Sequence, residues 1–204
     1  MIKLRLDVDY PYPSRAKSFV YIALGIKKKT SKDYLKNSRI IAKMVNESPK
    51  EVKAYWFFTP YTIPDKKFLD LLYPERHEIG LHIATNPEKE WKTLEKETGR
   101  IIQYYTFHGT QSPFAQLLWK RKLGQKQASV PNDFPLKSFH EFQTVSLDTR
   151  VTQTWLPYSI TDEAQKWIRE GTVISIHPEW LFVENKKGSR GRYYEMLKTI
   201  LEVP

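Results

Sequence analysis

The segment KLRLDVDYPYP, residues 3–13, has the alternation of a β-strand that ends in two carboxylates. Successive side chains of a strand point to opposite sides of the sheet. One side is therefore apolar, with Ile2, Leu4, Leu6 and Val8, and the other is charged, with Lys3, Arg5, Asp7 and Asp9. Asp7 and Asp9 are about 7 Å apart at the backbone, which lets both carboxylates serve one site. The alternative is a solvated strand end, because aspartates often form turns after strands.

Strand-like and helix-like segments alternate along the rest of the chain, as they do in proteins built from repeated βα units. Strands are predicted at residues 2–9, 52–58, 78–83, 101–107, 142–147 and 172–177. Helices are predicted in the segments 31–48, 87–99, 112–124, 161–171 and 189–203. Segment 123–141 is unassigned and has room for a seventh strand. We expect one α/β domain over residues 1–204, either a doubly wound sheet or an incomplete (β/α) barrel of six or seven parallel strands.

The composition limits the chemistry and the partners of the chain. It contains no cysteine, so any metal ion must be held by His, Asp, Glu or Asn. The net charge of +10 would suit a nucleic-acid-binding protein, but the basic clusters are scattered and no nucleic-acid-binding motif accompanies them. An anionic substrate, such as a phosphate-bearing sugar, accounts for the charge at least as well. No signal peptide pattern and no run of about 18 apolar residues is present, which predicts a cytoplasmic protein without a membrane span.

Several chemically reactive side chains stand where the predicted strands end. Ligands of parallel α/β folds bind at the carboxyl ends of the strands. The residues at or directly after these ends are Asp7, Asp9, His82, His108, Asp148 and His177. A purely structural protein has no particular need of histidines at these positions. The pattern therefore favours a functional site at this edge of the sheet.

Three motifs, LDVDY at 6–10, RHEIGLHIATN at 76–86 and VISIHPEW at 173–180, resemble in this order the motifs of the NodB-homology polysaccharide deacetylases of carbohydrate esterase family four. The resemblance implies an incomplete (β/α) barrel. It also implies a hydrolase that uses one divalent metal ion, usually zinc, to remove acetyl groups from N- or O-acetylated sugars.

The resemblance assigns a role to each matching residue. Asp7 is similar to the catalytic base, Asp9 and His82 to metal ligands, and His177 to the general acid. The chemistry is consistent with these roles, because a metal with two or three protein ligands keeps positions open for water and for the acetyl carbonyl oxygen. Asp7 is then placed to take a proton, and His177 to give one to the leaving amine or sugar oxygen.

The remaining histidines and two apolar residues have weaker interpretations. Trp180 and Leu147 are candidates for an apolar wall that accepts the acetyl methyl group, and a core position is the alternative for both. His77 lies on the opposite side of its strand from His82, so it is interpreted as structural. His140, in the unassigned segment, is interpreted as a surface histidine.

The sequence departs from the family pattern at two motifs. The second metal-binding histidine is replaced by Asn86, and the sequence NPEKE that follows has the form of a helix start with Asn86 as N-cap. His108 is the candidate third metal ligand, with a substrate contact or a buried or turn histidine as the alternatives, and Asn86 is the less favoured ligand.

The Arg-x-Pro motif, whose arginine steadies the catalytic aspartate in the family, is not evident. Arg150 is a candidate substitute, while Asp148 and Trp155 are candidates for the fourth motif. Three functions stay open: a deacetylase with altered metal ligation, a hydrolase of another amide or ester, and a lapsed enzyme that only binds sugar. The oligomeric state stays open as well.

Overall fold

The structure, a computed structural model, describes residues 1–9, 35–84, 86–107, 130–147, 157–182 and 192–202. The strands are β1 (Ile2–Val8), β2 (Val52–Phe58), β3 (His77–Ile83), β4 (Tyr104–Phe107), β5 (Lys137–Ser138), β6 (Thr144–Ser146) and β7 (Val173–Ile176). The α-helices are α1 (Lys36–Glu47), α2 (Lys66–Leu69), α3 (Pro87–Thr98), α4 (Pro157–Arg169) and α5 (Arg192–Glu202). Short 3-10 turns, Phe139–Glu141 and Pro178–Trp180, follow β5 and β7.

The seven strands form one parallel sheet in the order β5-β4-β3-β2-β1-β7-β6. Phe57 on β2, Phe139 after β5 and Val173 on β7 nevertheless pack in one buried cluster. Because four strands separate β5 from β7 in this order, such contacts require the sheet to curl. The sheet is thus an incomplete (β/α) barrel, as expected, and β5 is the seventh strand for which segment 123–141 had room.

Strand β1 has the two faces that its alternation predicts. Its apolar side chains are buried in the core between the sheet and the helices, where Leu4 and Leu6 are fully inaccessible. Burying a leucine side chain completely contributes about 1.5–3 kcal/mol. The charged side chains line the inner face of the barrel, where the guanidinium of Arg5 lies 5.7 Å from the ring centroid of Phe57. The strand therefore places Asp7 and Asp9 inside the curl of the sheet.

The helices agree with the sequence pattern in the described parts of the chain, with two differences. Helix α2 was not expected; it is a single turn that Asp65 caps by accepting a hydrogen bond from the N–H of Phe68 at 2.8 Å. One turn is too short to produce a helical periodicity. Helix α4 begins at Pro157, before the expected start at residue 161. The helix predicted at 112–124 lies outside the described residues.

None of the helices in the described ranges is long and apolar enough to cross a bilayer.

Candidate functional site

Asp9, His82 and His177 meet at the carboxyl ends of β1, β3 and β7. The Nε2 atom of His82 lies 3.0 Å from Oδ1 of Asp9, and the Nε2 atom of His177 lies 3.4 Å from Oδ2 of the same carboxylate. The side chains of Asp9 and His82 are buried, whereas that of His177 is 28% exposed. One carboxylate therefore faces two imidazoles, one of which is open to solvent. The convergence expected from the strand ends is confirmed for these three residues.

Asp7 is held by an arginine on its own strand. Arg5 donates from Nε to Oδ1 of Asp7 at 3.0 Å and from Nη2 to Oδ2 at 2.6 Å. The two side chains are only 13% and 4% exposed. Such a bidentate pair fixes the orientation of the carboxylate as well as its charge. The steadying arginine was expected at Arg150, which lies outside the described residues.

The sequence contained the signal for this arginine. Residues two apart on a strand share a face, and the alternation had already placed Arg5 and Asp7 together on the charged side of β1. This role was assigned to Arg150 instead, and an arginine on the strand of Asp7 itself was not considered.

A hydroxyl on the neighbouring strand orients His82. His82 and Thr106 are direct partners in the pairing of β3 with β4, and Oγ1 of Thr106 lies 2.6 Å from Nδ1 of His82. Both residues are buried. A hydroxyl can donate or accept a hydrogen bond, so Thr106 supports either neutral form of the ring. The contact keeps Nε2 of His82 directed toward Asp9.

A buried glutamate holds the loop that follows β3. Glu90 accepts hydrogen bonds from the N–H groups of Ala84 and Asn86, at 2.8 and 2.9 Å, and is 6% exposed. Oδ1 of Asn86 accepts a bond from the N–H of Lys89 at 3.1 Å. The prediction that Asn86 is the N-cap of this helix is thus confirmed. The amide oxygen of Asn86, where the resemblance would place a second metal-binding histidine, therefore caps helix α3.

The glycine within HEIGLH makes room for an aromatic ring on the next strand. A Cβ atom at Gly80 would lie 2.4 Å from Cε1 and 2.6 Å from Cδ1 of Phe57. Phe57 is fully buried and supports the guanidinium of Arg5. Gly80 therefore leaves space for the Phe57 ring, which lies 5.7 Å from the guanidinium of Arg5.

His77 is structural, as its parity predicted. The indole N–H of Trp56 donates to Nδ1 of His77 at 3.0 Å, and Nε2 lies 2.8 Å from Oδ1 of Asn46. An indole N–H can only donate, so the ring proton is on Nε2. Burial, followed by the charges of Lys53 and Arg76, lowers the pKa of His77 to about 4. The neutral ring links β2, β3 and helix α1.

His140 is exposed, as expected, and its ring contacts Phe107, which directly follows Thr106 on β4. Its Nε2 accepts a bond from the N–H of Phe107 at 3.4 Å, and its ring stacks on that of Phe107. Its pKa is lowered by partial burial and by Arg5 and His82, against an opposite effect of Asp7. The position was missed because the two residues of β5, which place it, are too few to give a strand pattern.

Of the remaining candidate residues, Leu147 is the one whose side chain lies in the described part of the chain. Leu147 is completely buried in the core between sheet and helices, the alternative that the sequence left open for it. His108, Asp148 and the side chain of Trp180 lie outside the described residues, as does Trp155. Within the described ranges, no group of three or more His, Cys, Asp or Glu side chains is arranged to hold a metal ion.

No family model matches the sequence, and no curated protein matches it. Among solved structures, the chain is similar to a CE4 family pseudoenzyme from Bacillus anthracis, with a TM-score of 0.47, 14% identity, and coverage of 98% of this chain and 60% of that chain. It is also similar to a mutant of that pseudoenzyme with restored enzymatic activity, with a TM-score of 0.45, 14% identity and coverage of 98% and 62%. The chain thus spans less than two thirds of the length of either protein.

Proposed function

We propose that this chain is a metal-dependent hydrolase that removes an acetyl group from an N- or O-acetylated sugar. The observation that carries the proposal is the division of contacts between two neighbouring carboxylates. Asp7 is held by Arg5, while Asp9 faces the two imidazoles of His82 and His177. This division of contacts supports Asp7 as the base and Asp9 as a metal ligand.

Asp9 and His82 have a spacing that two ligands of one zinc ion could have. Zinc–nitrogen and zinc–oxygen bonds are about 2.0–2.2 Å long, so neighbouring ligand atoms of a tetrahedral site are about 3.3 Å apart. The separation of 3.0 Å between Nε2 of His82 and Oδ1 of Asp9 is near this value. Asp9 and His82 would hold the metal, and His108 is the proposed third ligand. A bound divalent ion supplies a water of lowered pKa and polarises the acetyl carbonyl.

The residues of the chain itself would carry the proton transfers. Asp7, fixed by Arg5 with each oxygen still able to accept a second hydrogen bond, takes the proton of the attacking water. His177 is open to solvent on one side and gives a proton to the leaving amine or sugar oxygen. The net charge of +10 supports an anionic, for example phosphate-bearing, sugar as substrate.

A second candidate is a sugar-binding protein that has lost catalysis. It is favoured by the use of the Asn86 amide as a helix cap, together with the lack of a three-ligand cluster among the described residues. In that case the contacts of Asp9 with the two imidazoles would stabilise the fold and would have no catalytic role.

Acetate release from an acetylated sugar, such as triacetylchitotriose, tests the proposal in the presence of added zinc. Asp7→Asn is expected to lose about 10²-fold or more in turnover, because it removes the base. Asp70→Asn is the matched control, since Asp70 forms an exposed pair with Lys66. Sugar binding without acetate release by the unaltered protein would favour the second candidate.

A further inference from the structure

The 3-10 turn after β5 fixes the backbone of His140 above the end of β4. Strand β5 pairs with β4 through Tyr105 and Ser138. The side chain of Ser138 then accepts a hydrogen bond from the N–H of His140 at 3.3 Å and caps the turn. Strand pairing and cap together determine where this exposed side chain stands.

The contacts of the ring determine which nitrogen carries its proton. A backbone N–H can only donate, so the bond from Phe107 uses the lone pair of Nε2 of His140. The proton of the neutral ring is therefore on Nδ1. The ring lies nearly parallel to that of Phe107, with 13° between the planes and 6.0 Å between the centroids. His140 thus combines one N–H donor with a flat, partly exposed aromatic surface.

His140 also belongs to the electrostatic surroundings of the candidate site. Phe107, which holds its ring, directly follows Thr106, which holds His82. Partial burial, Arg5 and His82 lower the pKa of His140, and Asp7 raises it. The balance favours the neutral ring near pH 7, in which Nδ1 is a donor and not a cationic centre.

We propose that His140 is a substrate-binding residue, whose Nδ1–H donates to an oxygen of the sugar and whose ring, with that of Phe107, contacts the apolar face of a sugar ring. The proposal rests on the proposed function, because it takes the substrate class from there. It adds a substrate-contacting residue next to β4 and β5, distant in sequence from the three motifs.

Calorimetric titration with triacetylchitotriose tests the assignment on the full chain. His140→Ala should weaken binding about tenfold, as expected for the loss of one hydrogen bond and a contact surface. His140→Gln should recover part of the affinity, because its amide can accept from Phe107 and still donate. Glu141→Ala, an exposed neighbour in the same turn, should bind like the unaltered protein.

Nitrogen NMR of the unaltered protein gives a second readout that does not depend on a variant folding. A neutral ring protonated at Nδ1, whose signal shifts when the sugar is added, supports the assignment. Protonation at Nε2, or no shift on saturation with sugar, would overturn it. Equal affinities of His140→Ala and Glu141→Ala would overturn it while leaving the proposed function standing. If the unaltered protein neither binds nor deacetylates any acetylated sugar, the proposed function fails and this assignment with it.

Discussion

Replacing Arg5 with methionine should destabilise the protein by about 3–5 kcal/mol, the usual cost of leaving one partner of a buried ion pair alone. The structure supports the full value, because Arg5 and Asp7 share two hydrogen bonds and are only 13% and 4% exposed. Removing the guanidinium also removes the cation above the ring of Phe57. Methionine has a similar length and keeps most of the packing of the side chain.

Three further variants separate charge from geometry. Arg5→Lys keeps the charge but cannot form the bidentate pair, so it should retain more stability than Arg5→Met while still losing turnover. Arg5→Met combined with Asp7→Leu removes both charges of this pair and should recover much of the lost stability. Arg39→Met is the matched control, because it breaks a pair with Asp65 that is 24% and 50% exposed, and should cost less than about 1 kcal/mol.

Urea denaturation followed by tryptophan fluorescence measures each free energy of unfolding. With the single variant Asp7→Leu included, the double-mutant cycle gives the coupling energy between Arg5 and Asp7. The reasoning is refuted if Arg5→Met costs no more than Arg39→Met, or if the double variant recovers nothing. Either result would mean that the pair is not the support of Asp7.

Three other outcomes follow from the geometry. Gly80→Ala should cost about 1–3 kcal/mol in urea denaturation by overpacking against Phe57, and Phe57→Leu in the same chain should recover part of it; no cost would contradict the close approach. Thr106→Val should lower zinc affinity about tenfold in calorimetry, because His82 loses its orienting partner; unchanged affinity would reject that role. His77 contributes stability that is fully present above pH 6.5 and is lost as the pH falls toward 4, because in that window only the unfolded chain takes up the proton. The loss of unfolding free energy should be on the order of 3 kcal/mol and should be absent in His77→Gln. An equal pH dependence of stability in the unaltered protein and in His77→Gln would contradict this role of His77.

The features of this fold that depend on neighbouring residues in the sequence could be predicted. The alternation of β1 identified its buried and charged faces, and the parity of β3 separated the structural His77 from His82. The N-cap at Asn86 was predictable because an N-cap side chain bonds a backbone N–H only two or three residues further along the chain. The carboxyl-end rule for parallel strands brought Asp9, His82 and His177 to one edge.

The features that depend on distant contacts could not be predicted. The distance between Asp9 and His82, whose strands β1 and β3 are separated by β2, depends on how strongly the sheet curls, which no local pattern encodes. His140 contacts Phe107, 33 residues away, through a strand of two residues. Helix α2 is one turn stabilised by its cap and by the burial of Phe68. In each case tertiary packing, not propensity, determines the position.

Zinc titration of three metal-free proteins tests the division of roles between the two aspartates most directly. Calorimetry should show one zinc ion per chain in the unaltered protein. The same binding is expected in Asp7→Asn, because Asp7 is held by Arg5 and is a base, not a metal ligand, in the proposed mechanism. Asp9→Ala should lose zinc binding, since Asp9 would be a ligand beside His82. Absence of zinc binding in the unaltered protein, or equal loss in both variants, would contradict the proposed metal-dependent mechanism.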